Sequence, residues 1–161
     1  MYNEDIIMAN VYIAFYKHKR KINSIKNFFF RLFDEVIRLT THGKYSHCEV
    51  VIPNFEKDGD LLFECYSASN MDGGVRLKLM PLPKERWDLV KVNVNSDLIR
   101  LFFKQTKGLK YDMLGAIGVV LPIGEDSHRY FCSEWCAGAI GLANPHKFSP
   151  NSLYQKLREK V

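Results

Sequence analysis

The order in which the apolar periodicity changes along the chain restricts the fold more than any other feature. Residues 10–16 (NVYIAFY) are aromatic and β-branched, as in a buried strand. From Ser24 to Leu39 the period switches. Ile25, Phe28, Phe29, Leu32, Phe33, Val36 and Ile37 recur every three or four positions, which predicts an amphipathic helix with one apolar face toward the core. Four short strand-like runs follow at residues 45–52, 61–67, 75–80 and 87–94. Pro53 with Asn54, Gly59, Gly73 with Gly74, and Pro81 with Pro83 punctuate them as turn formers. Helical patterns then return. Ser96 reads as the cap of a helix running to about Lys107, with Gly108 as its stop. Residues 132–142 read as a second helix, and Ser149-Pro150 opens a last one with Leu153 and Leu157 inward. Strands grouped between helices predict an α+β fold with an antiparallel sheet. No repeat or linker divides residues 1–161, which read as one domain.

Composition narrows the class. With 47% hydrophobic and 25% charged residues, the chain is not of disordered type. The uncharged run 113–124 (MLGAIGVVLPIG) is shorter than the roughly 20 apolar residues a membrane-spanning helix needs. The first residues carry Glu4 and Asp5 and no basic stretch, unlike a signal peptide. The expected setting is therefore intracellular and cytoplasmic, with Cys48, Cys65, Cys132 and Cys136 as free thiols. A net charge of +5 leaves anionic surfaces as possible contacts. Nucleic acid is disfavoured, since the chain has no RNP-like, helix-turn-helix or zinc-finger pattern.

Two short segments carry reactive side chains. In YFCSE, Cys132 stands at the expected start of a helix. Unpaired N–H groups and the positive end of the dipole stabilise a thiolate there and can also receive an oxyanion. In YSHCE, His47 lies near the start of a strand, and a thiolate nucleophile needs such an imidazole together with a group that orients it. Glu64, on the following strand, and Glu49, two residues beyond His47, are both candidates, and strand parity does not choose between them. Four cysteines and five histidines raise zinc as an alternative. No CxxC pair is present, so no metal site and no cofactor is expected.

The ordered set is a histidine strand (YSHCEVVI), a carboxylate strand entering a Gly-Val turn (LLFECYSASNMDGGVRLKLM), Gly108 to Asp112 as Gly-x-x-Tyr-Asp, and a Cys-Ser-Glu helix start. This order resembles the circularly permuted NlpC-like cysteine hydrolases of the papain-like superfamily, which include YiiX-like proteins, the lecithin:retinol acyltransferase group and phage and viral relatives. The similarity covers about residues 11–154. In ordinary papain-like enzymes the cysteine helix comes first, whereas here His47 precedes Cys132. The resemblance implies a permuted papain-like fold with the nucleophile at a helix N-terminus. It also implies Cys132 as nucleophile, His47 as base, Glu64 as third member with Glu49 as the alternative, and Tyr111 at the oxyanion site. The chain departs from the family pattern in Cys48-Glu49 after the histidine and in a longer segment between Glu64 and Val75, with Ser67, Ser69 and Asp72.

The implied function is a thiol-dependent amidase, peptidase, or lipid acyl hydrolase or acyltransferase working through an acyl-enzyme thioester. Its substrate would be a peptide, a cell-wall fragment or a lipid acyl group. The alternative is a non-catalytic binding module of the same fold that holds anionic lipid or nucleic acid through its basic surface. The helix from Ser24 to Leu39, flanked by Lys26, Arg31 and Arg38, is also a candidate for peripheral membrane contact.

Overall fold

The structure is a computed structural model that describes residues 10–19, 21–55, 61–112 and 129–159. The uncharged run 113–124 and Glu4 and Asp5 lie outside the described residues. The fold is α+β. Its strands are β1 (Val11–Tyr16), β2 (His47–Phe55), β3 (Leu61–Ser69), β4 (Gly74–Met80), β5 (Trp87–Val92), β6 (Lys110–Tyr111) and β7 (Arg129–Tyr130). They form one sheet in the order β5-β1-β2-β3-β4-β6-β7, antiparallel throughout except for the parallel pair β6–β7. The helices are α1 (Ile25–Thr40), α2 (Ser96–Thr106), α3 (Cys132–Ala139) and α4 (Pro150–Arg158).

Strand parity splits the sheet into two faces. On one, Ile13, Phe15, Cys48, Val50, Ile52 and Tyr66 pack against Ile99 and Phe103 of α2, Trp135 and Cys136 of α3, and Leu153 of α4. On the other, Ala14, Val51, Phe63 and Cys65 meet Leu82 and Trp87 in a smaller cluster. Pro53, expected to end β2, lies inside it. Pairing with β1 stops at Val51, so Pro53 has a strand on one side only, where a missing N–H is tolerated.

Helix ends follow their cap chemistry. Ser149 accepts from the Ser152 N–H with Pro150 at the first helical position, as expected. Asn95, rather than Ser96, caps α2, its Oδ1 accepting from the Asp97 N–H at 2.8 Å. Gly108 follows α2 at φ +81°, where a side chain would be strained. The helix at Cys132 stops at Ala139, short of Leu142, and Gly141 turns the chain at φ +76°.

α1 departs from the reading of its apolar stripe as a core face. Ser24 caps it, its Oγ accepting from the Asn27 N–H at 3.1 Å. Yet Ile25, Phe28, Phe29 and Leu32 point outward, and the buried side is formed by Asp34, Ile37 and Arg38. Arg38 fastens this side. Its guanidinium donates to Lys44 O and His18 O, both at 2.9 Å, to Ser46 Oγ at 3.1 Å and to Glu35 at 2.9 Å. A buried cation with four acceptors holds position better than an apolar contact of equal size, because each acceptor fixes a direction.

Candidate active site

The site is built at the end of β2 that enters from the Gly43–Ser46 loop. That loop is tied to α4 by Asn151, which accepts from Tyr45 N at 3.0 Å and donates to Tyr45 O at 2.9 Å and to Thr41 Oγ1 at 2.6 Å. Gly43 passes so close to Asn151 that a Cβ would overlap its amide. His47 and Glu49, two residues apart, share a face, and His47 Nε2 lies 3.1 Å from Glu49 Oε1. This leaves Nδ1 as the ring nitrogen available to the Cys132 thiol, whose charge acts on the imidazole. Trp87 stands edge-on beside the imidazole, with ring centroids 6.4 Å apart.

Glu49 is 1% exposed and needs a permanent counter-charge there. Arg76 of β4 supplies it with two bonds of 2.8 Å, one to each carboxylate oxygen. The reach across β3 is possible because Ser67, opposite Arg76, is small and buried. Arg76 also donates to Asp72 at 2.9 Å and to Cys65 O at 3.1 Å, so its donors are directed on both sides. Although burial opposes its charge, Glu49 is held at about 2 by the Arg76 and His47 bonds.

The family resemblance implies Glu64 as the partner of His47, with Glu49 as the alternative, and the register puts Glu64 elsewhere. Glu64 pairs with Ile52, five residues along β2 from His47, or about 17 Å at 3.4 Å per residue. Its carboxylate accepts from Tyr66 Oη at 2.6 Å and from Arg100 Nε at 3.2 Å. The carboxylate facing His47 is Glu49.

Cys132 is the first residue of α3 and is 3% exposed. Glu134 Oε2 accepts from the Phe131 N–H at 3.4 Å and steadies this helix start. The Cys132 thiol is driven well below its usual range, first by a hydrogen bond from the Cys48 thiol. Burial works against this, while His47 adds charge attraction and a hydrogen bond and the Cys48 backbone N–H adds another. Reciprocally, burial disfavours the charged His47 ring, but the Cys132 charge and hydrogen bond, with Glu49 behind, raise it to about 10. Each of the two groups thus favours the charged form of the other.

Cys132 lines a crevice of about 10 Å³, the size of one water, with Ser46, Tyr111, Ser133 and Ile37 of α1. Ser46 and Tyr111 also border a larger cavity of about 220 Å³. His47, Glu49 and Arg76 form one wall of that cavity, Trp87 and Met80 another, and Phe30, Phe33 and Asp34 of α1 a third. Burial, followed by the neighbouring thiols and carboxylates, pushes the Tyr111 hydroxyl well above its usual range, so it remains a donor beside Cys132.

The structure thus brings together Cys132, His47, Glu49 and Tyr111, and sets Glu64 apart. Sequence reading missed Arg76 as the anchor of Glu49 and Cys48 as a neighbour that lowers the Cys132 thiol. The alternation in VRLKLM, which places Arg76 and Lys78 on one face, was the only local signal. All four cysteines are free and buried. Among the described residues, no cluster of three or more histidine, cysteine or acidic side chains is arranged to hold a metal ion. No family model matches the chain, and no curated protein matches it.

Proposed function

We propose that the protein is a cysteine hydrolase or acyltransferase of permuted papain-like architecture, with Cys132 as nucleophile, His47 as acid and base, and Glu49 as the orienting carboxylate. The observation that carries this reading is one line of interacting groups. The Cys132 thiol sits at a helix start against His47, whose other nitrogen is 3.1 Å from a carboxylate fixed by Arg76. A structural cysteine or histidine has no need of that continuity.

In this mechanism the Cys132 thiolate adds to the carbonyl carbon of an amide or ester. The carbonyl oxygen takes the negative charge and accepts from N–H groups at the start of α3 and from the Tyr111 hydroxyl. His47 gives its proton to the departing amine or alcohol, and the carbon–heteroatom bond breaks to leave a thioester on Cys132. His47 then takes a proton from water or from an acceptor amine or alcohol, which attacks the thioester and frees the thiolate. Water makes the protein a hydrolase, and an amine or alcohol acceptor makes it a transferase. The substrate class is an acyl group on a peptide, a cell-wall fragment or a lipid.

The test is intact-mass spectrometry after acid quench with a panel of activated amides and esters. The expected result is an acyl adduct on Cys132 that is missing in Cys132→Ser and, in His47→Ala, forms slowly while the fold is kept. An adduct on another cysteine, or turnover surviving in Cys132→Ser, contradicts the assignment.

A further inference from the structure

The outer side of α1 is a surface that the site does not use. Ile22 just before the helix, and Ile25, Phe28, Phe29, Leu32 and Leu39 within it, are each at least 48% exposed, and Ile25 reaches 80%. Their spacing places the five helical residues on one stripe, away from the side that carries Phe33, Asp34 and Ile37 toward the cavity and crevice. Phe28 and Phe29 touch edge to face, with centroids 5.7 Å apart, and form the apolar centre of the ridge.

Positive charge prevails around it. Residues 17–38 hold seven lysines and arginines against Asp34 and Glu35, an excess of five that equals the net charge of the whole chain; of the seven, Arg38 is buried and Lys17 is bonded to Asp88 at 2.6 Å. The rest of the sequence is therefore neutral, and the basic character is concentrated around one helix. Asp34 is buried, and Glu35 is bonded to Arg38 at 2.9 Å. Lys19 and Lys21 before the helix and Lys26 in its first turn are exposed, and Arg31 is half-buried.

An apolar ridge edged by cations matches a helix lying in the interface of a bilayer, with aromatic and leucine side chains among the acyl chains and cations at the headgroups. No described helix is long and apolar enough to cross a membrane, so the match is to lying on one. A second copy of the chain fits poorly, because it would bring two such basic segments together.

We propose that α1 docks the protein on an anionic lipid surface, with the ridge from Ile22 to Leu39 entering the acyl boundary and Lys19, Lys21 and Lys26 meeting the headgroups. The proposal is independent of the catalytic reading. Because the opposite side of the same helix walls the cavity, docking also brings the cavity close to the bilayer.

The test is co-sedimentation of the full chain with phosphatidylcholine vesicles, with and without phosphatidylserine. Binding to the phosphatidylserine vesicles is expected to exceed binding to phosphatidylcholine alone by about tenfold or more. Phe28→Ser with Phe29→Ser should weaken it by about tenfold or more for each ring removed. Lys21→Gln should weaken it about fivefold. Both variants should melt with the wild type, since the side chains are exposed. Absence of pelleting, equal pelleting on both vesicles, or variants that pellet like wild type overturns the proposal. A ridge-dependent dimer in sedimentation velocity without lipid binding also overturns it and makes a second copy the occupant.

Discussion

The β2–β4 face around Glu49 and the helix α1 border the same cavity but are held in place by opposite means. On the sheet, position is over-determined. Strand register sets Glu49 beside His47, Arg76 bonds both carboxylate oxygens, and Asp72 and the Cys65 carbonyl fix Arg76 in turn. On α1, the guanidinium of Arg38 ties the helix to the Lys44 and His18 carbonyls and to Ser46, while Ile25, Phe28, Phe29 and Leu32 face outward. The difference teaches that the groups needing fixed geometry sit on the paired strands, while the facing wall of the cavity is carried by a helix that leaves one apolar side to solvent.

The largest expected effect comes from breaking the rigid side. Arg76→Met leaves Glu49 buried and charged without its partner and should cost about 3–5 kcal/mol. For a chain of this size the melting temperature then falls by on the order of 10 °C. Calorimetry checks this, and the Arg76→Met, Glu49→Gln double variant should lose less than the two single losses combined. The pH dependence has a defined sign. Glu49 is lowered from 4.5 to about 2, so its contribution is fully present above 4.5 and is lost as pH falls toward 2. In Arg76→Met the acid transition should move to higher pH, as followed by circular dichroism.

Glu49→Gln alone tests the orienting role. Turnover should fall by about 10²-fold, and the pKa of His47 should drop from its value of about 10 as it loses the adjacent charge. Glu64→Gln should leave both unchanged. A rate loss in Glu64→Gln but not in Glu49→Gln would reverse the assignment.

Next in size is the loose side. Arg38→Ala strips donors from the Lys44 and His18 carbonyls and should cost about 1–3 kcal/mol. Hydrogen exchange should quicken across α1 while β2 and β3 keep their protection. Equal quickening in both regions would erase the contrast between them.

These two regions also differ in how legible they were from sequence. The alternation and turn residues from Tyr45 to Val94 give the central strands, and Ser149-Pro150 gives the start of α4, because those signals are local. His47 and Cys132 are legible for the same reason, each marked by the element it begins. The choice between Glu49 and Glu64 is not, since it depends on the pairing of Ile52 with Glu64, a contact between strands that no local pattern encodes. Arg76 escaped for that reason too. In α1, period 3.6 correctly marks a helix, but periodicity reports only that an apolar stripe exists and not that protein covers it.

The smallest effect concerns Cys48. Cys48→Ala removes the strongest contribution to the lowered Cys132 thiol and should raise its titration midpoint while leaving the fold intact. Thiol titration by peptide-resolved alkylation reads this shift.

The same titration on the wild-type chain is the most direct test of the central claim, that Cys132 and His47 form a thiolate–imidazolium pair. The account predicts that Cys132 alkylates with a midpoint well below the ordinary thiol value of about 8.5, that Cys48 and Cys65, raised by burial, do not, and that the low midpoint is lost in His47→Ala. A Cys132 that titrates with Cys48 and Cys65, or keeps its low midpoint without His47, contradicts it.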